Sequence, residues 1–355
     1  RQAEDGETRF GLLEMVREYA LEQLAERGEV EAARRSHALY YLEMAEQFKT
    51  ISAQNKASAL LGRMEVEINN LRSAMQWAGE RDLALTLRFA TAIVEFWSTR
   101  RHLSEGRQWL EQWLPRLHAV AAQLDPQQMT QYASICGSLA IFTWLQGDNA
   151  LAQARWERTI SLWRRLENEQ ELGMALHFLA FTFYDRGDYA SAQATVAESV
   201  DILRNSGEPW ALGWALCAAG SVAAVRADYA AAQAMFEEAL AIFRHSEGPW
   251  DIWSVSLAAL GFSEVFFARE EHPRARAYLE DALVVFRRED QLWFVAQGLV
   301  LLGKVLWQQG ERSHAVALWE ESVVLGRQVG ARRYIAEALL MLGLAAQEAH
   351  DLPQA

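Results

Sequence analysis

The sequence predicts an all-α fold, a right-handed superhelical solenoid of antiparallel helix hairpins. A four-residue turn phrase returns six times, and its starting positions differ by 40, 40, 43, 40 and 40 residues. The segments between the turns suit helices and lack the alternation of apolar and polar residues that is typical of strands. The phrases are Gln146-Gly-Asp-Asn, Arg186-Gly-Asp-Tyr, Arg226-Ala-Asp-Tyr, Arg269-Glu-Glu-His, Gln309-Gly-Glu-Arg and Ala349-His-Asp-Leu. A fixed period of about 40 residues therefore indicates a repeat array.

A third observation is that small and large residues recur at fixed distances from each turn. Small residues stand in the first helix of each repeat at Ala140, Ala180, Gly220, Gly261, Gly303 and Gly343. The second helix carries an alanine and, four positions later, the large residues Trp156, Val196, Phe236, Leu279 and Trp319. We expect the small residues to let two helices approach closely while the large residue fills the groove towards the next repeat.

The turn residues can end one helix and begin the next. Gly147, Gly187 and Gly310 can adopt the left-handed conformation that closes a helix. The acidic residues that can cap the next helix are Asp148, Asp188, Asp228 and Asp351. Ala227, Glu270 and His350 stand where the other three turns have glycine. We expect the turns at these three residues to be looser or closed differently.

These residues resemble the tetratricopeptide repeat family. The shared pattern is leucine-glycine, a turn glycine, alanine and a bulky apolar residue, in repeats of roughly 40 residues where the family has ~34. The resemblance implies a tetratricopeptide-like solenoid of helix hairpins.

Three earlier phrases resemble the region that follows the ATPase and winged-helix modules of bacterial STAND-type regulators, which include LuxR-type transcription activators. They are Leu12-Leu-Glu-Met-Val-Arg-Glu-Tyr-Ala-Leu-Glu-Gln-Leu24, Glu67-Ile-Asn-Asn-Leu-Arg-Ser-Ala74 and Glu105-Gly-Arg-Gln-Trp-Leu-Glu111. This resemblance implies that the chain is the sensor region of a longer transcriptional regulator. The region would receive an inducer or partner and hold the regulator's own upstream ATPase module in check.

The resemblance and the repeat register divide the chain into three regions. We expect residues 1–35 to be a helical junction at the end of a preceding winged-helix module. Residues 36–126 are predicted to form degenerate helical hairpins, and residues 127–355 the regular repeats, of which the last is truncated.

Composition and missing motifs argue against several function classes. The net charge of -13 and the short, scattered arginine clusters, such as Arg332-Arg333, disfavour direct nucleic-acid binding, and we interpret these arginines as solvated. The sequence has no Gly-x-x-x-x-Gly-Lys-Ser/Thr loop, so the implied ATPase lies outside it. It also lacks a nucleophile elbow and paired metal-binding histidines. We therefore expect no enzymatic activity, no cofactor and no metal.

The two cysteines and the hydropathy pattern bear on the compartment. Cys136 and Cys217 have no partner at a metal-ligand or redox-motif spacing, and we interpret both as buried thiols. No apolar run of about 18 residues is present, so we expect no membrane span. Together these features predict a cytoplasmic protein.

The first helices are expected to line the concave side of the superhelix, where the sequence is rich in aromatic residues. The predicted partner-binding residues are Trp144, His177, Phe181, Tyr184, Trp214, Ser221, Phe262, Phe266, Lys304 and Trp307. Such a groove suits a protein or peptide segment or a small apolar inducer, with Lys304 as counter-charge for an anionic group. The alternative is that several of these aromatic residues pack as core between repeats.

A second candidate surface consists of the aromatic residues that precede the later first helices. These are Trp210, Trp250, Trp293 and Tyr334. They either pack over neighbouring turns or form a linear binding strip. At the level of function, the alternative to a regulator's sensor is a scaffold that binds a peptide motif and has no link to transcription.

Overall fold

The computed structural model describes residues 14–52, 58–99, 102–245 and 251–351. These residues form 17 α-helices and one short 3-10 helix, and they contain no β-strand. The α-helices are α1 Glu14–Glu26, α2 Val30–Ser52, α3 Ser58–Val66, α4 Ile68–Arg81, α5 Leu83–Thr99, α6 Leu103–Val120, α7 Pro126–Leu145, α8 Asn149–Arg165, α9 Glu169–Asp185, α10 Tyr189–Ser206, α11 Pro209–Val225, α12 Tyr229–His245, α13 Asp251–Ala268, α14 His272–Arg288, α15 Leu292–Gln308, α16 Arg312–Val329 and α17 Arg332–Asp351. The predicted all-α fold class is confirmed.

Backbone contacts divide the chain into two compact units. The first unit includes α1 to α4 and α5 as far as Phe96, and the second begins at Trp97 and includes α6 to α17. The functional division predicted at residues 35 and 126 stays a prediction. Over the described residues, none of the helices has both the length and the apolar character needed to cross a membrane.

The first unit is held by contacts between α2, α4 and α5. Arg88 on α5 forms an ion pair with Glu46 on α2 at 2.8 Å. Phe48 on α2 meets Phe96 on α5 edge to face, with ring centroids 6.2 Å apart. The helices α2 and α5 are therefore linked by an ion pair as well as by an aromatic contact.

The second unit contains the regular hairpins at the predicted positions. The pairs α7/α8, α9/α10, α11/α12, α13/α14 and α15/α16 are each joined by a short turn, centred on Gly147, Gly187, Ala227, Glu270 and Gly310 respectively. α17 continues the array as the first helix of a further repeat. The sixth phrase does not form the predicted turn, because Ala349, His350 and Asp351 continue α17 as helix, and Leu352 lies outside the described residues.

The expectation that Ala227 and Glu270 close their turns differently was wrong. Their φ angles are 62° and 63°, in the same left-handed region as Gly187 at 77°. In the turn at Gly187, the backbone amide of Asp188 donates a hydrogen bond of 3.0 Å to the carbonyl oxygen of Phe183. In the turn at Ala227, the amide of Asp228 donates an equally long bond to the carbonyl oxygen of Ala223. In the Glu270 turn the same bond is 2.9 Å long. The repeat geometry therefore holds two non-glycine residues in a conformation that favours glycine.

The predicted packing of small against large residues is confirmed at Gly220, Gly261 and Gly303. A methyl group on the Cα of Gly303 would lie 2.3 Å from Nε1 of Trp319, which belongs to the same hairpin. The ring of Phe236 lies against Gly220 of its own hairpin and against Gly261 of the next. One large side chain thus fills the space left by two glycines and fixes the distance between first and second helices.

Candidate functional site

The concave side of the second unit is closed by contacts between distant repeats. Trp144 on α7 lies against Trp293 on α15, with ring centroids 5.5 Å apart. Arg333 on α17 forms an ion pair with Asp185 on α9, 148 residues earlier in the chain. These contacts bring α7 and α9 to α15 and α17, so the first helices surround an enclosed space.

This space is an inner cavity of about 80 Å³, and its wall comes almost entirely from the first helices α7, α9, α11, α13, α15 and α17. Its aromatic lining residues are Trp144, Phe178, Phe181, Tyr184, Trp214, Phe236, Trp293, Phe294 and Tyr334. An outer cavity of about 270 Å³ shares Tyr184, Glu264, Gln297, Arg333 and Tyr334 with it. The two cavities are therefore adjacent along one wall.

Six of the ten predicted partner-binding residues lie together in the inner cavity. They are Trp144, His177, Phe181, Tyr184, Trp214 and Ser221. Phe262 and Phe266 are instead 4% and 2% exposed. Phe262 stacks on Tyr278 of α14 and Phe266 packs against the same ring at a tilt, so both lie in the core between α13 and α14. The alternative of core packing applies to these two residues.

The remaining two predicted residues lie away from the inner cavity. Lys304 lines the outer cavity and forms an ion pair with Glu337, which leaves no free positive charge there for an anionic group. Trp307 packs against Trp319, with its ring centroid 5.6 Å away, and the guanidinium of Arg312 lies 4.9 Å over it.

The second candidate surface partly merges with the first. Trp293 and Tyr334 line the inner cavity rather than a separate strip. Trp210 is half-buried and packs against Trp214 with ring centroids 5.6 Å apart. Trp250 lies outside the described residues.

The inner cavity also contains residues that the sequence analysis missed: Phe178, Asp185, Glu264, Gln297 and Arg333. Arg333 was interpreted as solvated, but it pairs with Asp185, and its guanidinium lies 4.7 Å over the ring of Tyr184. Contacts between α9 and α17 cannot be read from a period that reports neighbouring repeats only.

Two polar residues of the inner cavity depart from the repeat register, and this signal is present in the sequence. His177 lies three residues before the small residue Ala180, where the other repeats have Gly137, Cys217, Ala258, Val300 and Leu340. Glu264 lies three residues after Gly261, where the others have Thr143, Phe183, Ala223, Leu306 and Ala346. The hairpin geometry does not require a histidine or a carboxylate at these positions.

His177 is a buried polar side chain without a hydrogen-bond partner. It is 0% exposed, and neither ring nitrogen makes a hydrogen bond. Its ring lies 4.8 Å from Phe178, 5.0 Å from Phe181 and 6.0 Å from Trp214, measured between centroids. Burial lowers the pKa of His177 to about 3, so the imidazole is neutral near pH 7. A neutral imidazole offers one donor and one acceptor, and both remain unused.

The carboxylates of the cavity differ in their partners. Asp185 accepts a hydrogen bond from Nε1 of Trp144 at 2.8 Å and pairs with Arg333. Burial raises the pKa of Asp185, and the positive charge of Arg333 opposes that shift. Burial also raises the pKa of Glu264, which is half-buried and lines both cavities. Among the charged side chains described along the cavities, Glu264 alone has no cation within ion-pair distance.

Comparison with known protein families supports the repeat assignment. Residues 132–205 and 171–245 match the family model of the tetratricopeptide repeat. These segments run from α7 to the end of α12. The predicted tetratricopeptide-like fold class is therefore confirmed.

A protein of Mycobacterium tuberculosis (strain ATCC 25618 / H37Rv), named "Putative HTH-type transcriptional regulator Rv0890c", is 40% identical over 119 residues. The match covers 33% of this chain and 13% of that protein. A protein of Mycobacterium bovis with a corresponding name matches to the same extent. The chain thus spans a small part of the length of these relatives.

Solved structures of similar fold share little sequence with the chain. A Rap protein complexed with Competence and Sporulation Factor is 14% identical, with a TM-score of 0.60 over 89% of this chain and 82% of that one. The apo form of RapI is 12% identical, with a TM-score of 0.62 over 82% and 98%. NprR in complex with its cognate peptide NprX is 13% identical, with a TM-score of 0.59 over 92% and 87%. At these identities the likeness concerns the fold.

Proposed function

We propose that this chain is the sensor region of a bacterial cytoplasmic transcriptional regulator and that its inner cavity binds the signal. In this proposal the region has no catalytic activity, touches neither nucleic acid nor membrane, and acts on an ATPase module upstream in the same protein. The observation that carries the proposal is the aromatic cavity with the buried, unpartnered His177 in its wall.

The physical argument concerns what folding gains from this wall. A buried polar group without a partner costs about 1–3 kcal/mol, and an aliphatic residue at position 177 would avoid that cost. A bound molecule that supplies a donor or an acceptor removes the cost. Aromatic side chains around a cavity also gain contact area when a ligand fills it. The wall is therefore better suited to binding than to folding alone.

The regulator assignment is supported by the mycobacterial proteins, whose names describe HTH-type transcriptional regulators, and by the resemblance of the opening phrases to the region after STAND-type ATPase modules. Two structural neighbours are complexes, one with Competence and Sporulation Factor and one with a cognate peptide. The proposal therefore includes a peptide as a ligand class, beside a small apolar inducer.

The test compares cavity variants with a variant on the second helices, in the full-length protein in its host. Phe181→Ala and Trp214→Ala remove aromatic wall, whereas Glu238→Ala changes an exposed residue of α12. We expect both cavity variants to change the set of transcripts that depends on the regulator, and the control to leave it unchanged. Circular dichroism and thermal melts check that each variant is folded. Folded cavity variants with a wild-type transcript pattern would contradict the proposal.

A further inference from the structure

The charges along the inner and outer cavities do not cancel. Arg333 is paired with Asp185, and Lys304 is paired with Glu337, so each cation already has its carboxylate. Glu264 lines both cavities and feels the charges of Arg333 and Lys304, but it forms no ion pair of its own among the described residues. The carboxyl groups therefore outnumber the cations by one where the two cavities adjoin.

The aromatic wall next to Glu264 favours a cation over an anion. The faces of aromatic rings are negative and attract a positive group that lies over them, best over tryptophan. Trp144, Trp214 and Trp293 line the inner cavity together with Phe181. An anion would meet these ring faces as well as Glu264, while both nearby cations are already paired. The net charge of -13 adds a long-range attraction for cations.

His177 adds a specific contact to this environment. Because the imidazole is neutral and both nitrogens lack a partner, one of them can accept a hydrogen bond from a ligand N–H group. Neither His177 nor Glu264 is required by the repeat register, as the other residues at these positions show. The two departures from the repeat thus line the same cavity.

We infer that the ligand of this cavity is a small organic cation, an amine, amidine or guanidine group beside Glu264 with an apolar or aromatic body against the tryptophans. The inference rests on the proposed function, because it names the ligand class of the same site. At about 10–15 Å³ for each water-sized atom, the inner cavity holds roughly six such atoms, and the outer cavity leaves room for the rest of the molecule.

The first experiment uses the unmodified chain and three probes that share one ring: benzylamine, benzyl alcohol and benzoate. Isothermal titration calorimetry at pH 7 measures each affinity, and tryptophan fluorescence reports binding inside the cavity. We expect benzylamine, which is protonated at this pH, to bind at least about tenfold more tightly than the alcohol and the anion. Benzoate binding as tightly as benzylamine, or no binding by benzylamine, would overturn the inference.

The second experiment removes the charge without changing the shape of the side chain. Glu264→Gln should weaken benzylamine binding about tenfold or more, while the matched control Glu237→Gln, an exposed carboxylate on α12, should leave it unchanged. Thermal melts should show Glu264→Gln to be at least as stable as the unmodified protein, because the substitution removes a carboxyl group whose charged form burial disfavours. Unchanged benzylamine affinity in Glu264→Gln would overturn the assignment of Glu264.

The cation can belong to a free amine or to a basic side chain of a peptide, and further probes separate these sources. Acetylated and amidated Gly-Arg-Gly and Gly-Lys-Gly are titrated beside Gly-Gln-Gly. Basic tripeptides that bind more tightly than benzylamine indicate a peptide, and the reverse order indicates a free amine.

If no cation binds while Phe181→Ala and Trp214→Ala still alter transcription, the ligand class is wrong and the sensor function stands. If benzylamine binds as expected but both variants leave transcription unchanged, the cavity binds cations and the sensor function fails.

Discussion

The two faces of the second unit use the same repeat in opposite ways. On the second helices, ion pairs recur with the repeat: Arg164 with Glu198, Arg204 with Glu238 and Arg287 with Glu321, each pair 34 residues apart. On the first helices, His177 and Glu264 are each the only acidic or basic residue at their position in the repeat, and both lie among aromatic residues.

This difference separates the contacts that stabilise the array from the residues that are specific to this protein. A contact that recurs in every repeat serves the stacking of neighbours, which stabilises any solenoid. A polar residue that occurs in one repeat, and is buried at a cost, gains nothing from that stacking. Departures from the register therefore point to function, and His177 and Glu264 are departures of this kind.

The largest change in stability is expected where a first helix packs against a second helix, at the contact between Gly303 and Trp319. Gly303→Leu should lower the free energy of unfolding by about 3 kcal/mol, because its Cβ would overlap the Trp319 indole and displace its hydrogen bond to the Val300 carbonyl. Chemical denaturation measures the change.

The matched control is Gly343→Leu, at the same register position one repeat later. Among the described residues nothing lies within 4 Å of a Cβ there, and leucine is the better helix former, so we expect no loss of stability. Equal destabilisation by both substitutions would mean that helix propensity, rather than close packing, decides the effect.

The next expected effect is a change of protein stability with pH, caused by His177 in the wall of the inner cavity. Unfolded His177 takes up a proton near pH 6.5, whereas folded His177 stays neutral down to a pKa of about 3. The unfolded state therefore binds more protons between these values, and stability falls as the pH is lowered through this range. At pH 5 the loss from His177 is about 2 kcal/mol relative to pH 7.5.

His177→Phe removes this titration together with the unpartnered ring nitrogens. We expect the variant to be more stable than the unmodified protein at pH 7.5, and its advantage to grow by about 2 kcal/mol at pH 5. The titrations of Asp185 and Glu264 are common to both proteins and largely cancel in the difference. The exposed His245, replaced by phenylalanine, provides the control. An advantage that does not grow in acid would contradict the burial of a neutral imidazole.

The sequence predicted the contact between Gly303 and Trp319 better than it predicted the residues that line the inner cavity. Glycines and large residues such as Gly303 and Trp319 follow the period, so their contact could be predicted from spacing alone. Six of the ten proposed cavity residues were found because first helices share one side of the superhelix. Phe262 and Phe266 are also on a first helix, but they pack against Tyr278 of α14, and the spacing of residues does not define which neighbour a side chain meets.

The period of about 40 residues could not predict the contacts between distant repeats that enclose the inner cavity. The pairing of Asp185 with Arg333 depends on the summed rotation of several repeats, and small differences in each repeat add up along the array. The sequence did contain a usable signal in the departures from the register. A search for acidic or basic residues at positions where the other repeats have none would have found His177 and Glu264.

A smaller effect is expected at the turns that connect the two faces. Ala227 has a φ of 62°, where an alanine is strained and a glycine is not. Ala227→Gly should therefore stabilise the protein by about 0.5–1 kcal/mol, and Gly187→Ala, which has the same turn geometry, should destabilise it by about 1 kcal/mol. Thermal melts of the two variants measure both signs. Destabilisation by Ala227→Gly would show that the flexibility glycine adds to the unfolded chain outweighs the strain.

The smallest effect is expected on the second helices, at the ion pair between Arg204 and Glu238. Their side chains are 49% and 43% exposed, so water and salt screen the attraction, and holding two long side chains costs conformational entropy. A double-mutant cycle with Arg204→Ala and Glu238→Ala should give a coupling of less than about 0.5 kcal/mol, and less still at high salt. The same variants should bind benzylamine as the unmodified chain does. A coupling above about 1 kcal/mol would mean that the recurring pairs stabilise the stack strongly, and the contrast with the inner wall would then be one of ligand binding alone.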